Sequence, residues 1–216
     1  MRRNKQRNSF SAKKRPAEVL PSPKLMLVIE GEMEEKGLPD FIRKIIRMDG
    51  LQFQTLSKTR RIHNGDTVPV TKIVKDLNKI CSVTLGTDTD YIACIIDLEG
   101  RNCSSSEFLN DIQRNIENSE TVIGIATRSM ENWLLGDISG MIQTIRPCSQ
   151  PNINKFSNPE GIPHPAEREV KRYWSKYKKT RDGVKFLAAA CPNEIEQKCP
   201  SFSRFRAALA AIDLVE

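Results

Sequence analysis

The sequence predicts an α/β fold, a mostly parallel four-stranded sheet flanked by helices, with a helical appendage at the C-terminal end. Three observations predict it. Short runs rich in Val and Ile, at Leu25–Ile29, Tyr91–Ile96 and Thr121–Ala126, read as strands buried on both faces. Segments with apolar residues at helical spacing lie between them. The alternation of strand and helix favours a parallel sheet with helices on both sides.

The elements follow in order. Pro21-Ser-Pro23 closes a basic N-terminal segment, and the first strand follows it. Pro39, a favoured first-turn residue, marks the expected start of the first helix. Its core stripe is Leu38, Phe41, Ile42, Ile45 and Ile46. Leu51–Leu56 is read as a second strand, and the polar segment from Ser57 to Asp66 as a loop. A helix is expected from Pro69 to Cys81, with Ile73, Val74, Leu77 and Ile80 inward. Ser104–Ser106 offers caps for the helix that carries Phe108, Leu109, Ile112 and Ile116. Ser129 can cap a short helix over Met130–Leu135. The Pro-, Asn- and Ser-rich stretch 139–165 reads as a long loop. Helices are expected at Ala166–Tyr177, Asp182–Cys191 and Phe202–Leu214. The expected organisation is a disordered basic tail over 1–23, an α/β domain over 24–138, and a loop with a helical extension over 139–216.

Of the 34 basic residues, seven fall in residues 1–17, which hold no acid, so the remainder balances at 27 basic and 27 acidic. Such an arm suits a polyanion or an acidic partner equally, or a solvated tail without function. No apolar run approaches membrane-spanning length, and the basic N-terminus lacks the apolar stretch of a secretory signal. A cytoplasmic protein is expected. None of the six cysteines forms a Cys-x-x-Cys pair, and there are only two histidines, which disfavours a zinc site.

The chemistry concentrates at the strand ends. The first strand stops at Glu30-Gly31 and the third at Asp97-Leu98-Glu99-Gly100. In an open parallel sheet, ligands collect where strands end. Three carboxylates brought to one crevice repel one another unless they hold a cation, and oxygen ligands suit Mg²⁺ or Mn²⁺. Glu30, Asp97 and Glu99 are therefore the candidate catalytic and metal-holding residues. Glu99 also fits a solvated loop acid. Glu34 and Glu35 fit acids that complement a helix N-terminus, and Asp137 fits a helix-end residue.

Strand–Glu-Gly followed by strand–Asp-x-Asp resembles the TOPRIM fold of topoisomerases, primases and OLD-family nucleases. Glu99 stands where the second Asp is usual, which keeps the charge on a longer arm. The segments Glu30-Gly-Glu-Met-Glu-Glu35, Ser129-Met-Glu-Asn-Trp-Leu-Leu135 and Cys199-Pro-Ser-Phe-Ser-Arg-Phe205 resemble a group of small stand-alone bacterial TOPRIM-like proteins. The resemblance covers roughly residues 25–212. It implies a metal-dependent phosphodiesterase or nuclease acting on DNA or RNA, with Asp97 and Glu99 as ligands and Glu30 as ligand or general acid/base. Glu131 would complete a second metal site, or serve only as an early-helix acid. The resemblance also implies a bacterial defence role beside a partner ATPase. The alternative is a non-catalytic scaffold that docks to such an ATPase or holds nucleic acid. Candidate nucleic-acid contacts are Lys58, Arg60 and Arg61 on the loop, and Lys171, Arg172, Lys178 and Lys179 interleaved with Tyr173, Trp174 and Tyr177. Those three aromatics also fit a core face. No Gly-rich phosphate loop is present, which disfavours a nucleotide-driven phosphotransfer protein.

Overall fold

Alternating side chains on three long strands build two hydrophobic layers, one on each face of a parallel sheet. A computed structural model describes residues 22–55, 58–65 and 67–212; the basic segment 1–17, Leu56, Ser57, Asp66 and the last four residues lie outside them. The long strands are β1 (Lys24–Ile29), β4 (Tyr91–Asp97) and β5 (Thr121–Ala126). β4 lies between the other two, and every pairing in the sheet is parallel. Two short strands, β2 (Gln54–Thr55) and β3 (Arg60–Arg61), share the outer edge of β1. β2 pairs with its start at Lys24 and Leu25, and β3 with its end at Val28 and Ile29. They fill one strand position between them, so the sheet is four positions wide. The expected strand over Leu51–Leu56 thus shrinks to two residues, and the expected loop contains the other half.

Leu25, Leu27 and Ile29 face one layer with Ala93, Ile95 and Val122. Met26 and Val28 face the other with Ile92, Cys94, Ile96, Ile123 and Ile125. That period of two is what a strand covered on both sides requires. Helices α2 (Val70–Thr84) and α3 (Ser105–Gln113) cover the second layer. Ser104 caps α3 through a reciprocal capping box: its hydroxyl accepts from the Glu107 N–H at 3.1 Å, and the Glu107 carboxylate accepts from the Ser104 N–H at 2.7 Å.

Helix α1 (Glu32–Asp49) starts seven residues before the expected Pro39, which sits inside it. Gly31 turns the chain directly off β1. Glu32, Glu34 and Glu35 then place negative charge on the first turn, where the exposed N–H groups favour it. Met33 extends the buried stripe of Leu38, Phe41, Ile42, Ile45 and Ile46 by a turn. That burial outweighs the hydrogen bond lost at proline. Gly50, at φ 69°, closes the helix in the left-handed conformation.

After β5 come α4 (Met130–Gly136) and α5 (Ile138–Thr144). The stretch expected to be a long loop therefore begins as helix and continues as two single 3-10 turns, Ile153–Phe156 and Pro159–Gly161. Asp137 explains the helix: its carboxylate caps α5 at the Gly140 N–H (2.9 Å) and accepts from the Cys191 N–H (2.8 Å). Then follow α6 (Glu167–Tyr173), a π-helical turn over Lys179–Gly183, α7 (Val184–Ala189), α8 (Pro192–Lys198) and α9 (Pro200–Ile212). The sequence reading had no α8, and it carried α6 through Trp174–Tyr177, where the chain is not helical. These helices join β1 and α1 in one hydrophobic cluster. Trp133 anchors it, edge-on to Phe202 at 5.1 Å and stacked on Phe205 at 6.0 Å, and its indole N–H donates to the Ser201 hydroxyl at 2.8 Å. Gly124 on β5 admits the Phe205 ring, which would stand 2.7 Å from any Cβ there.

Candidate active site

The parallel strands deliver their C-terminal ends to one rim. β1 ends beside Glu30, β4 ends in Asp97, and β5 leads through Thr127 and Arg128 to Ser129 and α4. Glu30 Oε2 accepts the Asp97 N–H at 2.5 Å, which locks the two strand ends together. One residue on, Leu98 N–H donates to Ala126 O at 2.9 Å and Glu99 N–H to Arg128 O at 2.7 Å. Glu99 (φ 55°) and Arg128 (φ 72°) both adopt the left-handed conformation. That is unfavourable for side chains other than glycine, asparagine or aspartate, and it is held here by the facing strand end. It turns the chain back so that Glu99 lines the same pocket as Glu30 and Asp97.

The far wall is strapped by Asn64. Its Nδ2 donates to Asp97 O at 2.8 Å, and its Oδ1 accepts from Arg101 Nη2 at 2.7 Å. Arg101 also donates to Gly65 O at 2.5 Å and stacks 4.7 Å above the Phe108 ring. The pocket so enclosed measures about 200 Å³ and is lined by Glu30, Glu34, Asn64, Asp97, Glu99 and Lys179, among others.

Two of the sequence-predicted acids carry strained charges. Burial pushes the Glu30 carboxyl up to about 7 from 4.5, against hydrogen bonds from the Asp97 N–H and the Asn64 side chain that pull it back. Burial, and then the Glu30 charge, raise Asp97 well above the usual carboxylate range, while Lys179 opposes them. Glu131 is placed differently. It is nearly buried in the first turn of α4, behind the pocket, where the Tyr177 hydroxyl donates to its Oε1 at 3.5 Å.

Two residues lie at the pocket in places other than those the sequence reading assigned to them. Glu34, assigned to the helix end, lies 4 % exposed one helical turn after Glu30, and its Oε2 is buried without a hydrogen-bond partner. The Glu30-Gly-x-x-Glu34 spacing was the signal. Lys179, grouped with the surface cations, reaches in from the π-helical turn. Its ammonium stands 3.4 Å from Glu131 Oε2 and 3.7 Å from Glu34 Oε1. Burial works against its charge, but the carboxylates of Glu131, Asp97 and Glu34 outweigh burial and raise its pKa.

The other expected nucleic-acid contacts divide. Lys58, Arg60 and Arg61 are exposed on the β3 side of the pocket. Lys171 and Arg172 project from α6 and pair with Glu167 at 2.6 Å and Glu169 at 2.8 Å. Lys178 is exposed, and its backbone N–H donates to Asp182 at 2.9 Å. Trp174 and Tyr177 are each 5 % exposed and pack with Phe186, and Tyr173 packs against the same cluster. Of the two readings of these aromatics, the core face is the one observed.

Among the described residues no three His, Cys, Asp or Glu side chains are gathered into a ready metal site. The donor set nevertheless fits a hard divalent ion. It is all oxygen, it leaves one buried Glu34 oxygen unsatisfied, and it sets Glu30, Glu34, Asp97 and Glu99 around a pocket with a single lining lysine.

Among solved structures, the C-terminal region of the Burkholderia pseudomallei OLD protein is similar at 13 % identity and a TM-score of 0.43, covering 86 % of this chain and 98 % of that one. The C-terminal region of the Xanthomonas campestris pv. campestris OLD protein is similar at 12 % identity and a TM-score of 0.38, covering 90 % of this chain and 99 % of that one. No curated protein matches. The family model described as a domain of unknown function, DUF4276, matches residues 29–210, and this chain belongs to that family.

Proposed function

We propose that the chain is a metal-dependent phosphodiesterase that cuts DNA or RNA in the strand-end pocket. The observation that carries this reading is the excess of carboxylate there. Among the described residues, Glu30, Glu34, Asp97 and Glu99 face a space into which one ammonium, that of Lys179, reaches. A phosphodiester approaching it meets net repulsion unless a cation comes between, and a divalent cation is what oxygen ligands of this kind select. Glu30, Asp97, Glu99 and Glu34 would hold Mg²⁺ or Mn²⁺, with Glu131 behind them. The bound ion would polarise phosphoryl oxygens and lower the pKa of a coordinated water.

The chain's own groups have separable tasks. Glu30 Oε2 accepts the Asp97 N–H, and without a metal ion burial raises its carboxyl to about 7; Glu30 would serve either as a ligand or, outside the ligand set, as a general acid/base. Lys179 offers N–H donors for a phosphoryl oxygen, and Glu131 fixes its position. Asn64 and Arg101 keep the β4 end in place. The resemblance adds a defence setting with a partner ATPase.

One observation favours a second reading, a non-catalytic scaffold on the same fold: Lys179 already stands between Glu34 and Glu131, as an internal counterion would. Cleavage of labelled single- and double-stranded DNA and RNA with Mg²⁺ or Mn²⁺ separates the two, read beside metal-induced shifts in melting temperature. Cleavage and a metal shift in the wild type, both lost in Asp97→Ala, support the enzyme. If the wild type shows neither, with or without a candidate ATPase, the scaffold reading stands.

A further inference from the structure

A second and larger cavity opens beside the acidic pocket and shares Ile62 and His63 with it. It measures about 380 Å³ and lies between β3 and α2. β3 runs along the end of β1, and the Ile62 N–H donates to Ile29 O at 2.8 Å, so this groove begins next to Glu30. Its charge is opposite to that of the pocket. Of its ionic groups, Asp76 is held by Lys72 at 2.8 Å and Arg61 by Glu35, while Arg60 and Lys79 have no ion-pair partner among the described residues. His63 adds an exposed imidazole. One wall is apolar: Ile80 is half-buried, and Val83 is 63 % exposed.

From these features we infer that the groove is a binding subsite for an unpaired nucleotide of a nucleic-acid strand whose neighbouring phosphodiester occupies the acidic pocket. The inference rests on the phosphodiesterase reading and names the form of its substrate. Cations at Arg60 and Lys79 supply the sequence-independent attraction of a phosphate backbone. The apolar wall of Ile80 and Val83 can be reached by a base face only when that base is not stacked within a duplex. A duplex would present phosphates to the rim and leave the wall wet. Alternation from a basic groove to an acidic pocket suits one strand crossing both, with the bridging cation needed only at the second.

The test is binding without cleavage. Fluorescence anisotropy in EDTA, which reads the groove's own attraction without the cation-bridged contact in the pocket, compares a labelled single-stranded 12-mer, the same strand as duplex, and the same strand with abasic positions. The full chain is used throughout, so the basic N-terminal segment contributes equally to every variant. The expected order is single strand tightest, with duplex and abasic strand weaker. Arg60→Glu with Lys79→Glu is expected to weaken single-strand binding roughly tenfold or more and to reduce the salt slope by about 1.4, two phosphate contacts at ~0.7 each. Arg60→Gln with Lys79→Gln is expected to move both in the same direction by less, and melting curves check that each variant is folded. Equal binding of abasic and intact strands, tighter binding of duplex, or an unchanged salt slope in both variants overturns the inference. Asp97→Ala separates the two claims. If it binds as expected while the wild type cleaves nothing with metal, the phosphodiesterase reading falls and the groove remains. If the wild type cleaves and the groove variants bind normally, the groove falls alone.

Discussion

Replacing Glu30 by Gln is expected to stabilise the protein at pH 8 and to change little at pH 4. The Glu30 carboxyl rises from 4.5 to about 7 on folding, chiefly through burial. A raised carboxyl pKa means that the folded chain binds the proton more tightly than the unfolded one. Its contribution is fully present below about pH 4.5 and is lost as pH climbs through about 7. Raising the carboxyl from 4.5 to about 7 corresponds to about 3 kcal/mol, an upper figure because water reaches the pocket. Glutamine mimics the neutral form at all pH values and still accepts the Asp97 N–H through its carbonyl oxygen. At pH 8 the variant is therefore expected to be more stable by about 1–3 kcal/mol, or roughly 2–12 °C in melting temperature for a chain of this size. Melting curves of both proteins in EDTA from pH 4 to pH 8 measure this, and taking the difference cancels the other carboxylates. A difference that is absent at pH 8, or that grows toward acid, would show that Glu30 is not a strained charge and would undo the electrostatic account of the pocket.

Three further outcomes are expected. Lys179→Met strands Glu34 and Glu131, 4 % and 2 % exposed, beside each other; it is expected to lower stability by about 3 kcal/mol in EDTA, and Mg²⁺ is expected to restore more of the melting temperature than it adds to the wild type. Gly124→Ala drives a methyl group into the Phe205 ring, 2.7 Å away, and is expected to cost about 1–3 kcal/mol in urea unfolding. Ser104→Ala removes the hydroxyl half of the α3 capping box and keeps the backbone N–H half, an expected loss of about 1 kcal/mol with the near-ultraviolet spectrum unchanged.

The long strands and helices α2, α3 and α4 were readable because their signals are local. Val and Ile runs stop at Glu30 and Asp97, and Ser104 and Ser129 announce the helices after them. Pro39 misled because its local rule was overridden by burial of Met33 and by the Gly31 turn, and neither weighs much in a propensity argument. Helix α5 was hidden because its cap, Asp137, gains a second partner 54 residues away at Cys191. The pocket divided the same way. Glu30, Asp97 and Glu99 sit at strand ends visible in sequence, whereas Lys179 enters from a turn whose direction depends on the packing of Tyr177 against Phe186. Spacing along the chain holds no trace of that contact. The short β3 was missed since its two arginines pair by backbone alone and expose their side chains.

The pocket is also assembled out of chain order. Glu30, Asp97 and Glu99 lie in the first half of the sequence, and the lysine that steadies Glu34 and Glu131 lies 80 residues beyond Glu99. A chain emerging from the ribosome therefore presents its acids before the counterion that completes their surroundings, and α7 to α9, which close the layer over β1 and β5, arrive later still. N-terminal segments fold first during synthesis. Under the proposed function, this order leaves the pocket unfinished until Lys179 has emerged.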